Sequence, residues 1–234
     1  MISLFYKNIS ELNGVSLLKG ITISELKKKY EILIIDDEQF SFLDALRKHE
    51  YNITQKNDLT DLKDAEAYKI ILCDIRGVGK FLGTDFEGAY LIKQLKVKYP
   101  DKTIIAYTAN PYEATFEQFL DYAVQTIPKG AYGLDDWTAL LDRLLCEVVD
   151  PVKIWEKTRK QLLDAGVSTV DVAKYESKYV DAVKKGNYES LQSLCKKNPG
   201  KGAEIVLSAI KTICAITSLF SPTVLSQEGV TQKN

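Results

Sequence analysis

The chain has 234 residues, a formal charge of -1 and 45% hydrophobic residues, enough apolar material for one full core and a smaller appendage. That balance excludes a globally disordered chain and a strongly basic nucleic-acid binder. Four cysteines, Cys73, Cys146, Cys195 and Cys214, lie far apart with no CxxC pair. They read as reduced thiols, and with no leader-like start the expected location is the cytoplasm.

Residues 1–30 carry Ile2, Leu4, Phe5 and Ile9, then Leu17 and Leu18, then a stretch from Ile21 ending in Lys27, Lys28 and Lys29. The pattern predicts an N-terminal extension that packs on the next domain as a short strand and helix. From Glu31 the pattern alternates strand and helix. Ile32 to Ile35 stop at Asp36 and Asp37, and 40–49 has Phe42, Ala45 and Leu46 at helical spacing, with the lone His49 near its end as a packing or exposed residue. A second strand is expected over 51–55, a short helix over 61–68, and a third strand over 70–74 that ends on Asp74. A loop with Gly77, Gly79 and Gly83 follows. Its glycines lack the spacing of a phosphate-binding P-loop, so a flexible active-site loop is the expectation.

A helix over 87–98 has Leu91, Ile92 and Leu95 on one face. It is followed by a strand at 103–108 ending on Thr108, a helix at 111–122 with Pro111 near its start, and a strand at 123–127 leading through Pro128 to Lys129. Asp135 and Asp136 open a helix whose stripe is Trp137, Leu140, Leu141, Leu144, Leu145 and Val148. Asp150-Pro151 marks a boundary. Beyond it strand signals vanish, and helices are expected at 152–165, 169–185, 188–197 and 203–220, with a flexible tail at 223–234.

Short apolar runs alternating with helices describe an α/β fold with a parallel sheet, whose strand carboxyl ends share one edge. Asp36, Asp37 and Asp74 converge there, and two such charges about 4 Å apart repel by roughly 4 kcal/mol at an effective dielectric near 20. A bound Mg²⁺ answers that repulsion and lets a phosphoryl group approach. Asp74 could then attack it, with the Thr108 hydroxyl and the Lys129 ammonium binding its oxygens. The plainer alternative is that Asp36 and Asp37 cap the next helix.

These residues resemble the receiver domain of two-component response regulators over 31–149. The resemblance rests on Ile34-Ile35-Asp36-Asp37-Glu38, Leu72-Cys73-Asp74, Tyr107-Thr108-Ala109 and Pro128-Lys129-Gly130. It implies a flavodoxin-like, doubly wound five-stranded parallel sheet, here followed by an α-helical output or interaction domain at 150–222. It also implies phosphorylation of Asp74 by a histidine kinase or phosphotransfer partner. Mg²⁺ would be held by Asp36, Asp37, Asp74 and the backbone carbonyl of Arg76, with Thr108 and Lys129 on the phosphoryl group. The sequence departs from the pattern at Thr126, where an aromatic switch residue is usual, at Pro128, which precedes the lysine instead of following it, and in the loop after Asp74.

The expected function is therefore phosphorelay signalling, not catalysis of a turnover reaction. A phosphorylation-independent interaction scaffold and a Mg²⁺-dependent phosphohydrolase are the alternatives. Residues 151–202 carry eleven Lys or Arg against six Asp or Glu, but only one is arginine and no helix-turn-helix is evident. The helical region is expected to bind a protein target or a second copy of the chain, not nucleic acid. Residues 203–220 are interrupted by Glu204 and Lys211, and are expected to form a buried or partner-binding helix, not a membrane span.

Overall fold

In the computed structural model, residues 6–18, 20–109 and 114–220 are described. Ile2, Leu4, Phe5, Pro111 and the expected tail at 223–234 lie outside them.

Three apolar runs and two more polar segments become the parallel strands β1 (Ile32–Ile35), β2 (Ile53–Lys56), β3 (Ile70–Asp74), β4 (Thr103–Thr108) and β5 (Gln125–Pro128), in the order β2-β1-β3-β4-β5, with β2 and β5 the polar ones. Every residue of β1, β3 and β4 is buried, as central strands covered on both faces require, while the edge strands β2 and β5 keep partly exposed polar positions. This order is the flavodoxin-like doubly wound sheet, and its switch point, where ligands bind, falls between β1 and β3.

Helices α1 (Ile23–Lys29), α2 (Leu43–Lys48) and α5 (Leu134–Val149) cover one face of the sheet. Helices α3 (Glu87–Lys98) and α4 (Ala114–Leu120) cover the other. All six stripe residues of α5 are buried, and at roughly 1.5–3 kcal/mol for each fully buried side chain they decide how that helix docks. Several expected helices are shorter in the structure. The 40–49 segment is helical only from Leu43, and 61–68 yields a single 3₁₀ turn, Leu62–Ala65, capped by Asp61.

Asp150 ends α5 and its carboxylate accepts the Val152 N–H at 2.7 Å, while Pro151 opens α6 (Pro151–Asp164). Helices α7 (Thr169–Lys185), α8 (Glu189–Lys197) and α9 (Lys201–Leu219) complete a second core with α6. Helix α9 is long and apolar enough to cross a membrane, but it buries Val206, Ile210, Ile213 and Ile216 in that core.

The later part of the extension packs on the sheet as the sequence suggests, through the helix α1, but the residues before Leu18 do not. Residues 6–18 contain one 3₁₀ turn, Ile9–Leu12, and no strand, and Leu12 is fully buried in the helical core. The cause is Glu176, a carboxylate 1% exposed that needs donors. It accepts Tyr6 Oη–H at 2.6 Å, the Ile9 N–H at 3.0 Å and Trp155 Nε1–H at 2.8 Å. Leu18, Ile21, α1 and Tyr30 reach the sheet's core. The extension is a strap across both parts of the chain.

Candidate functional site

Strand register builds the site. Ile35 pairs with Cys73 and Asp74 with Tyr107, so Asp36, Asp74 and Tyr107 stand at one level at the carboxyl edge of the sheet. Asp36 and Asp74 are buried, and Asp37 is exposed. One carboxylate oxygen from each lies within 4.8 Å of the others. Lys129, just beyond β5, reaches back to Asp74 Oδ2 at 2.6 Å and Asp36 Oδ2 at 3.5 Å. Thr108 is buried at the end of β4, and its carbonyl accepts the Lys129 N–H at 2.6 Å. The Arg76 N–H donates to Asp74 Oδ1 at 3.2 Å, and the Arg76 guanidinium lies 4.4 Å from the centre of the Phe116 ring. The structure thus brings together the carboxylates, the lysine and the start of the Asp74 loop.

Asp36 and Asp37 do not cap the next helix: α2 begins after Phe42 with no side-chain cap, and Asp36 Oδ1 accepts the Glu38 N–H at 3.0 Å. Nor is the glycine loop loose. Asp58 accepts the Gly79 and Lys80 N–H groups at 2.6 and 3.0 Å, and Glu87 accepts that of Gly77 at 2.8 Å. Gly77 has φ +74°, and a Cβ there would lie 2.2 Å from Asp37 Oδ2, so any other residue would strain the backbone and push that carboxylate aside.

Burial pushes the Asp74 carboxyl above its usual pKa, with Lys129 pulling the other way. For Lys129 burial opposes the ammonium, but Asp74 and Asp36 outweigh it and hold its pKa above the ordinary lysine value. Lys80 adds an exposed contact to Asp37 Oδ2 at 3.9 Å, and two ammonium groups still leave the three carboxylates in excess. The donor set is all oxygen and one member faces solvent, which suits a hard divalent cation that keeps several waters.

The sequence reading missed four residues here. Tyr107 donates its hydroxyl to Asp36 Oδ2 at 2.5 Å, and Gln55 Nε2 donates to the carbonyls of Asp36 and Glu38 at 3.3 and 2.6 Å. Asp58 and Glu87 hold the loop. The cue for Tyr107 was strand alternation, which sets it on the same face as Ile105.

No family model and no curated protein matches the chain. Solved structures do. This chain is similar to response-regulator receiver domains over about half its length. A response regulator from Thermotoga maritima is 18% identical with a TM-score of 0.40, covering 50% of this chain and 97% of that one. The BeF3-activated DrrB receiver domain is 16% identical with a TM-score of 0.41 at the same coverages. A Burkholderia pseudomallei response regulator, solved with a phosphorylated aspartic acid, a calcium ion and citrate, is 24% identical with a TM-score of 0.39, covering 62% of this chain and 91% of that one. The assignment of the receiver-like half to the flavodoxin-like fold rests on its own strand order.

Proposed function

We propose that the chain is a cytoplasmic, phosphorylation-responsive signalling protein of the response-regulator type. In this reading 31–149 is a receiver domain, 150–222 a helical output or interaction domain, and the extension a tie between them. One observation carries it: the Asp74 carboxylate, buried at the end of a central strand, faces Asp36, Asp37 and the Lys129 ammonium. Held by Asp36, Asp37, Asp74 and the Arg76 carbonyl, Mg²⁺ would supply the neutralisation that lets a phosphoryl group approach.

Asp74 is the acceptor. A carboxylate oxygen attacks the phosphorus of a phosphohistidine on a histidine kinase or phosphotransfer protein. The P–N bond breaks, the imidazole nitrogen leaves with the electron pair, and an acyl phosphate forms. Lys129 and the Thr108 hydroxyl hold the phosphoryl oxygens. The acyl phosphate carries about −1.5 to −2 charge where the carboxylate carried −1, a net gain of roughly −0.5 to −1 beside Lys129. That change biases the face formed by β4, β5 and α5, and α5 leads directly into α6. The helical region then meets a protein target or a second copy of the chain.

Intact-protein mass after incubation with Mg²⁺ and acetyl phosphate tests the reading. A phosphate-sized gain in the parent, lost in Asp74→Asn, is the expected result. An equal gain in Asp74→Asn excludes Asp74 as the acceptor, and no gain in the parent favours a phosphorylation-independent scaffold. Sustained turnover of a phosphomonoester would point to a hydrolase.

A further inference from the structure

Asp36 and Tyr107 are each 2% exposed, so neither polar end is hydrated. Both Asp36 oxygens are engaged: Oδ1 by the Glu38 N–H at 3.0 Å, Oδ2 by the Tyr107 hydroxyl at 2.5 Å with Lys129 at 3.5 Å. The phenol therefore stands in for part of the water that the carboxylate lost on burial. Its ring belongs to an aromatic cluster on the α5 side of the sheet. Phe40 is 5.5 Å from Tyr107 and 5.2 Å from Trp137, Trp137 is 6.3 Å from Tyr107, and Tyr132 is 5.4 Å from Trp137. On the neighbouring strand β5, Thr126 supplies no ring, while Tyr107 on β4 pairs with Ile127 next to it.

We propose that Tyr107 is a positioning residue that competes with a divalent cation for the Asp36 carboxylate, and that its ring passes cation occupancy to Trp137 on α5. This rests on the acidic cluster being a cation site. A cation drawing on Asp36 would lower the electron density that the hydroxyl proton binds, because the Tyr107 O–H points at that same carboxylate. The two partners oppose each other. Cation binding loosens the phenol, and the tightly packed rings convey any displacement of Tyr107 to α5.

Mg²⁺ binding to the full chain, measured by calorimetry for the parent and Tyr107→Phe, tests the competition. Removing the competing donor should tighten Mg²⁺ binding by about threefold to tenfold, the size of one net hydrogen bond. A residue of merely structural importance would weaken it on removal. Unchanged or weaker binding in Tyr107→Phe, with the parent binding normally, overturns the inference and leaves the cation site intact. No Mg²⁺ binding by the parent overturns both. Should Tyr107→Phe not fold, Mg²⁺ titration of tryptophan emission decides. A change in the parent that is absent in Trp137→Phe supports the relay, and a flat response in a parent that binds Mg²⁺ calorimetrically overturns it.

Discussion

Lys129 is shared unevenly, 2.6 Å from Asp74 and 3.5 Å from Asp36, so without a cation the cluster keeps an excess of negative charge. Asp74→Asn should therefore stabilise the cation-free protein by about 1 kcal/mol, raising Tm by about 2–4 °C for a chain of this size. Thermal melts in a chelator check this. The pH dependence follows from the raised pKa of Asp74, which burial causes. A carboxyl whose folded pKa exceeds its unfolded value favours the fold while protonated. That contribution is complete below the unfolded value near 4 and is lost as pH rises through the folded one. Mg²⁺ needs the carboxylate, so its stabilising effect should fade on acidification at a higher pH than an ordinary aspartate would give. The Mg²⁺-induced shift in Tm, followed as a function of pH, reports this directly. A fade only at the ordinary aspartate pKa would remove Asp74 from the site.

At the scale of elements, α3 packs directly against the end of β3 that carries Asp74. A Cβ on Gly88 would lie 2.0 Å from the Asp74 carbonyl oxygen, a backbone atom that cannot swing aside. Gly88→Ala should cost about 1–3 kcal/mol or more by forcing α3 off β3, a loss that urea unfolding would measure. Gly77→Ala behaves differently, because its clash is with the movable Asp37 side chain. We expect a stability loss of about 1 kcal/mol from the left-handed backbone, together with weaker Mg²⁺ binding as Asp37 is pushed out of the cluster. Calorimetry alongside the urea melt separates the two effects. The central strands and α3 were legible in the sequence because apolar runs and a periodic stripe report burial directly. The carboxylates and Lys129 were legible because polar residues closed those runs. The Tyr107–Asp36 bond was not, since it depends on how β1, β3 and β4 align, and the loop's anchors Asp58 and Glu87 act across sequence distances that no local pattern encodes.

At the scale of the whole molecule, the strap joins the two cores. Leu12→Ala should destabilise the helical part by about 2–5 kcal/mol, as truncation of a fully buried leucine does. Glu176→Leu should cost at least as much, because it strands the buried Trp155 Nε1–H and releases the strap. Chemical unfolding followed separately by Trp155 and Trp137 emission would show whether the helical part is lost first, as expected. This arrangement was hidden in the sequence: the strap's apolar residues are visible, but its partners lie about 170 positions away. That separation sets a timetable for synthesis. Tyr6 leaves the ribosome long before Glu176 exists, and at about 5–20 residues per second the interval is roughly 10 to 30 s. Throughout it Leu12 has no place to bury itself. A nascent chain halted after α5 should therefore hold a formed sheet with an unattached, apolar leading segment, open to chaperones until α6 and α7 emerge.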